Sequence, residues 1–261
     1  MVDAIFVRGP VPLSRAHAHN DYEHERPLFE ALELDFTSVE VDIHLIDGQL
    51  LVAHDKKDIQ PDRTLQSLYL DPLRSHLHKN HGRVHRKGGA FTLLIDIKSD
   101  ADSTYRVLRS VLEKYKDMLL RFDGQAAGKG AVRVILSGNR PIDCMANETQ
   151  RFAAVDGRLA DLENDSLSAL FPLISDSWTS AFKWRGVGQM PEAESDRLNE
   201  IVETAHARNQ RIRFWSTPDD SSAARERVWQ KLISADVDLI STDDLRGLRQ
   251  FLLEHDPLLV K

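Results

Sequence analysis

Cysteine is nearly missing from this chain, and that scarcity narrows its chemistry first. Cys144 is the only one in 261 residues, so no intrachain disulfide can form and a thiolate zinc cluster is excluded. No apolar run approaches the ~20 residues that a spanning helix needs. The opening stretch MVDAIFVRGPVP lacks the basic start and long apolar core of an export signal. The expectation is a soluble protein, either cytosolic or exported with its leader already removed. No block of consecutive Lys and Arg is present and the net charge is −7, so nucleic acid is not an expected partner. Glycine and proline are modest at 13 and 10, and no fixed repeat or low-complexity tract occurs, which excludes fibrous and disordered classes.

What is present is a composition of 41% hydrophobic and 29% charged residues, enough for one large α/β barrel or two smaller domains. Short apolar runs recur at Leu13–His19, Ser38–Leu45, Phe91–Lys98, Arg133–Ser137, Phe152–Asp156, Pro172–Asp176, Arg211–Ser216 and Asp238–Thr242. Each reads as a strand. Between them lie amphipathic stretches such as PLFEALEL, with Pro27 at a first-turn position, YRVLRSVLEKYKDML, and DLRGLRQFLLEH behind a TDD cap. Strand and helix alternating about eight times over roughly 250 residues predict a single (β/α)₈ TIM barrel spanning residues 1–261. An open doubly wound sheet is the alternative.

Asp47-Gly48, flanked by HLI and QLLVAH, predicts a tight hairpin after the second strand. The charged, His-rich stretch from Lys56 to Gly89 predicts a loop over the barrel mouth with one short helix, TLQSLYLDPLRSHL; DGQAAGKG and RGVGQMPEAESD predict loops.

In a barrel, chemistry belongs at the C-terminal strand ends. His17 and His19 end strand one, Glu40 and Asp42 strand two, Asp96 and Lys98 strand three, and the hairpin returns through His54. Residues two apart share a face, so three carboxylates point into one mouth while Val39, Val41, Leu93 and Ile95 turn toward the helices. Unpaired, they repel one another by several kcal/mol. One divalent cation held by Glu40, Asp42 and Asp96 relieves that repulsion, and an all-oxygen set selects Mg²⁺ or Ca²⁺. His19 and His54 then supply a general acid and a general base near neutral pH, with Lys98 to offset charge on a phosphate.

From RAHAHND through LLVAHD the chain resembles the glycerophosphodiester phosphodiesterase and phospholipase-C-like phosphodiesterase superfamily. The shared features are Ala-His at the end of strand one, E-x-D on strand two, a DG hairpin, His-Asp, and Asp96-Ile-Lys98 on strand three. The resemblance implies Glu40, Asp42 and Asp96 as metal ligands, His19 and His54 as the acid/base pair, and Lys98 and Trp215 at the substrate; by its residue type alone Trp215 reads equally as barrel packing. His19-Asn20-Asp21 stands where glycerol-specific members have His-Arg-Gly, so the family's phosphate-binding Arg is absent and a glycerol headgroup is not expected. This HNDY form is more similar to a branch that includes fungal mitochondrial-inheritance proteins, and the acid and histidine set also resembles spider-toxin phospholipase D. Asn20 is a candidate substrate contact, and Arg140 in SGNRP is a candidate replacement cation or only a turn cap. His17 faces inward as a supporting or packing residue and His44 inward beyond the metal layer, while His76, His78, His81 and His85 read as solvated loop, with a second metal site as the alternative.

The expected activity is metal-dependent cleavage of a small or lipid-derived phosphodiester, to a monoester or to a cyclic phosphate. The alternatives are a catalytically silent barrel that binds a phosphorylated ligand or a protein, and a metal-dependent aldolase.

Overall fold

The computed structural model describes residues 11–123, 126–162 and 169–259. The first ten residues, on which the leader reading rests, and Gly124 and Gln125 of the DGQAAGKG stretch lie outside that range.

Eight parallel strands form a closed barrel: β1 (Leu13–Ala18), β2 (Phe36–Ile46), β4 (Phe91–Ile97), β7 (Val132–Gly138), β9 (Ala154–Gly157), β10 (Leu173–Ser177), β11 (Arg211–Trp215) and β12 (Leu239–Thr242). Closure comes from β1, which pairs with β12 through Ala16 to Ile240 and with β2 through His17 to Ser38. All eight anticipated strands are there, and the open sheet is excluded. The antiparallel β3 (Gln49–Val52) extends β2. Asp47 at φ 49° and Gly48 at φ 77° give the two left-handed residues that a two-residue type I′ turn requires.

The helices are α1 (Phe29–Glu33), α2 (Asp71–Lys79), α3 (Ala101–Glu113), α4 (Ile142–Ala146), α5 (Trp178–Ala181), α6 (Glu192–Ala207), α7 (Ala223–Ser234) and α8 (Leu245–His255). Asp100, Ser222 and Asp244 cap α3, α7 and α8 by accepting from Ser103, Arg225 and Gly247 backbone N–H groups. The Asp100 cap starts α3 a turn earlier than its apolar stripe suggested. Pro27 sits ahead of α1 rather than in its first turn, because Leu28 at φ 64° breaks the chain direction just before Phe29.

Strand alternation sorts the core into two. Val39, Val41, Ile43, Leu93, Ile95 and Ile97 face outward and are buried under the helices, each such side chain contributing about 1.5–3 kcal/mol. Leu94, Ile135, Ala154, Leu173 and Leu239 face inward and fill the barrel floor, plugged by Leu120 and Phe122. Phe122 lies on β5 (Phe122–Asp123), which pairs with β6 (Ala126–Ala127) and β8 (Gln150–Arg151) in a small sheet below the barrel. The sequence reading missed this sheet because strands of two residues carry no period. With the floor apolar, inward polar residues are left to the opposite end.

The segment from Lys56 to Gly89 differs from its expected course. Its start lies by the mouth, where Arg63 donates to the Tyr22 carbonyl at 2.5 Å. A turn of π-helix, Gln66–Leu70, then leads into α2, which carries the chain down the outside of the barrel. By His85 the chain has reached the N-terminal end, where the ring hydrogen-bonds the Phe36 carbonyl at 2.8 Å. The reason is topological: β4 runs parallel to β2, so the connection has to return to the floor before Phe91.

Candidate active site

Glu40 and Asp42 from β2 and Asp96 from β4 project into the mouth because Asp42 pairs in register with Asp96 and Glu40 lies two residues below. One oxygen from each lies within 4.8 Å of the other two. Glu40 and Asp42 are buried. Gly138, at the end of β7, permits the crowding: at φ 69° it has no side chain, and an added Cβ would stand 2.3 Å from Asp96 Oδ1.

Positive charge and donors surround this acid cluster unevenly. Asp42 Oδ2 accepts from Tyr22 OH at 2.8 Å and from His54 Nδ1 at 2.9 Å, and it pairs with Lys98 Nζ at 3.1 Å. Lys98 also reaches Asp96 Oδ1 at 3.1 Å. Asp42 Oδ1 is buried and has no partner. A carboxylate oxygen left bare beside two other carboxylates, while its twin holds three contacts, fits a set of cation ligands better than a set of structural ion pairs.

Glu40 is held from below. Arg213 of β11 donates to Glu40 Oε2 at 2.5 Å, to His17 Nε2 at 2.6 Å, and through Nε to Ser175 Oγ at 3.2 Å. Because a guanidinium can only donate, His17 Nε2 accepts and the ring proton sits on Nδ1, 2.7 Å from Ser38 Oγ. Burial, reinforced by Arg213, pulls the His17 pKa down to about 4, so this histidine is neutral. Burial alone would raise the Glu40 carboxyl, but Arg213 overrides it and holds the group well below its usual range. Asp96 goes the other way: burial raises it, and Asp42 and Glu40 add to that against Lys98. Burial opposes the charge on Lys98, yet Asp96 and Asp42 raise its pKa and keep it a cation.

The two outer imidazoles share one arrangement. His54 gives Nδ1 to Asp42, and His19 gives Nδ1 to Asp243 Oδ1 at 2.8 Å. Each ring is therefore fixed by a carboxylate on one nitrogen, leaving Nε2 for chemistry. At His19 burial works against the proton, but Asp243 and Glu40 outweigh it and raise the pKa.

Of the other expected residues, Asn20 sits in the left-handed region at φ 45° and accepts from Tyr22 OH at 3.2 Å. Trp215 ends β11 and is 36% exposed, two residues above Arg213 on the same face. Arg140 is engaged elsewhere, donating to Asp161 Oδ2 and to the Asp156 carbonyl at 3.0 Å each. The guanidinium aimed along the mouth strands is Arg158, which spans Asp156 Oδ2 at 2.9 Å and Ser137 Oγ at 3.3 Å. His44 holds the His54 carbonyl at 3.1 Å, and His76 holds the Val84 carbonyl at 2.8 Å. Tyr22, Asp243, Arg158 and Arg213 were not anticipated. Arg213 had a signal, since it shares parity with Trp215.

Comparison with known proteins agrees with this frame. The chain is 29% identical to altered inheritance of mitochondria protein 6 of Eremothecium gossypii over 92% of its own length and 69% of that protein. It is 30% identical to the protein of that name in Saccharomyces cerevisiae, over 90% and 69%. A homologue in Arthroderma benhamiae is 26% identical over 94% of this chain and 85% of its own. Among solved structures, an apo calcium-dependent phosphoinositol-specific phospholipase C from a Pseudomonas species superposes with a TM-score of 0.52 over 88% of both chains at 13% identity, a likeness of fold. Residues 5–156 match the AIM6-like phosphodiesterase domain. A closed barrel with E-x-D, D-x-K and paired histidines at its mouth, together with that match over more than half its length, makes this chain a member of the AIM6-like phosphodiesterase family.

Proposed function

We propose that the protein is a metal-dependent phosphodiesterase that cleaves a small or lipid-derived phosphodiester by histidine acid–base catalysis. One observation carries the reading: three converging carboxylates, one with a bare buried oxygen, lie between two imidazoles that are each pinned at Nδ1. Glu40, Asp42 and Asp96 would hold a single Mg²⁺ or Ca²⁺, which when bound neutralises the acids and withdraws charge from the phosphoryl oxygens.

The chain's own groups do the rest. Of His19 and His54, one removes the proton from the attacking oxygen at Nε2 and the other delivers a proton to the leaving oxygen, a division worth about 10²- to 10⁴-fold each. Asp42 and Asp243 keep both rings in the tautomer with the proton on Nδ1. Lys98 places its ammonium beside the phosphate. Asn20 and the exposed Trp215 flank the space where the rest of the substrate lies. Arg140 donates through Nη1 to Asp161 and to the Asp156 carbonyl, which leaves its substrate contact the least supported of these roles.

Turnover of bis-p-nitrophenyl phosphate with Mg²⁺, Ca²⁺ and Mn²⁺, each against a chelated control, tests this reading. Activity that chelation abolishes supports it; no activity with any of the three ions sinks it. A ³¹P spectrum of the products from a glycerophosphodiester then separates attack by water, giving a monoester, from attack by a substrate hydroxyl, giving a cyclic phosphate.

A further inference from the structure

On the barrel face opposite the mouth, the chain carries a charge pattern that phosphodiester cleavage does not use. Between Asp71 and Asp96 there is no carboxylate, yet Arg74, Lys79, Arg83, Arg86, Lys87 and four histidines fall there. In a chain of net charge −7 such a one-signed run repels itself and is characteristic of a segment that meets an anion. The fold decides where it goes. Because the chain has to return to the floor to begin β4, this loop lies along the N-terminal rim, with His85 on the Phe36 carbonyl and Gly88 against Pro12.

There the loop borders a cavity of about 830 Å³, whose wall includes Arg74, His78, Arg83, His85 and Lys129. That volume is within the range of small-molecule sites. Two of the five are already engaged: Arg74 pairs with Asp117 at 2.8 Å and lies over the Tyr115 ring, and His85 holds Phe36. Asp117 is the one acid on the wall, and Arg74 occupies it. Within the described residues, His78, Arg83 and Lys129 have no side-chain hydrogen bond or ion pair. Unpaired cations facing a cavity with no free acid form a site for anions, and an Arg fork beside a Lys point charge suits phosphate oxygens.

We propose that this cavity binds a phosphorylated ligand, held by Arg83, Lys129 and His78. With Arg74 matched by Asp117, Arg83 and Lys129 leave two positive charges on the wall, which the dianion of one phosphate group balances. The same chemistry occurs on a free metabolite and on a bilayer headgroup. The mouth opens on the other face of the barrel, so a bilayer seated here would hold the catalytic residues away from its own lipids, whereas a free ligand leaves them accessible.

The probes are inositol hexakisphosphate in calorimetry with the intact protein, and vesicles of phosphatidylcholine containing phosphatidylinositol 4,5-bisphosphate in co-sedimentation. One-site binding of the hexakisphosphate is expected, weakened about tenfold or more for each cation reversed in Arg83→Glu/Lys129→Glu. Both side chains are exposed, so the melting temperature and bis-p-nitrophenyl phosphate turnover should stay at wild-type values. Lys183→Glu/Arg246→Glu, which changes net charge equally at exposed sites elsewhere, should leave the affinity within about threefold. Vesicle binding alone, lost in the first variant and kept in the second, assigns the phosphates to a headgroup. Binding in neither arm, or equal weakening in both variants, overturns the proposal.

Discussion

Replacing Arg213 with Met probes the charge balance under the candidate metal site. The guanidinium is buried and contacts Glu40, His17 and Ser175. Removing it leaves the Glu40 carboxylate without a counter-charge in a dry barrel, and breaking a buried pair from one side typically costs 3–5 kcal/mol. For a chain of this size each kcal/mol moves the midpoint by about 2–4 °C, so the metal-free variant should melt roughly 6–20 °C below wild type. Glu40 can escape part of the penalty by taking up a proton, so the loss should be larger at pH 8 than at pH 5. A bound divalent ion supplies the missing positive charge, so saturating Mg²⁺ or Ca²⁺ should raise the midpoint more in Arg213→Met than in wild type. Ligand at a hundred times its dissociation constant adds about 2.7 kcal/mol by mass action; any excess in the variant measures the relief at Glu40. Differential scanning fluorimetry with chelator and with metal gives all four midpoints. A variant within about 2 °C of wild type under chelation, or an identical metal response in both proteins, would refute the electrostatic argument.

Three further outcomes are expected. His19→Ala and His54→Ala should each lower turnover of a poor-leaving-group phosphodiester by about 10²- to 10⁴-fold while calorimetric metal affinity stays near wild type; full activity in His54→Ala would remove it from the acid–base pair. Gly138→Ala forces a Cβ within 2.3 Å of Asp96 Oδ1 at a positive φ, so metal affinity should fall together with stability, whereas Gly48→Ala, with open space around it, should affect stability alone. Stability of the chelated protein should fall with pH below 6.5. His17 is neutral in the fold at a pKa of about 4, so the unfolded chain binds the extra proton between 6.5 and 4; the contribution is fully present above 6.5 and roughly 3 kcal/mol of it disappears across that window. His17→Gln should flatten the urea-midpoint profile there; an unchanged slope would mean that His17 is not held neutral.

The barrel was readable from sequence because its strands are buried runs of Val, Ile and Leu at regular spacing, and because E-x-D and D-x-K place their acids on one parity by strand geometry. What escaped reading depends on contacts across the closed sheet. Arg213 looks like any charged residue in RIRFW until barrel closure sets it under Glu40. The TDD pattern predicts a helix cap that includes Asp243, but Asp244 alone caps α8 while Asp243 turns to His19. Tyr22 lies in a 3₁₀ turn, Asp21–Glu23, whose geometry no period announces, yet its hydroxyl is on Asp42. The descent of the Lys56–Gly89 segment to the floor followed from parallel topology and could have been deduced, whereas its charges suggested an exposed cover.

The two pinned imidazoles differ in how far along the chain their anchors lie. His54 is tethered to Asp42 twelve positions away through the hairpin, so a nascent chain can assemble that half after about fifty residues. The anchor of His19 is Asp243, 224 positions downstream, and arrives only when β12 docks against β1. On the proposed acid–base roles both rings are needed for turnover, so activity recovered during refolding should lag behind the fluorescence of Trp178 and Trp215 and would report completion of the ring.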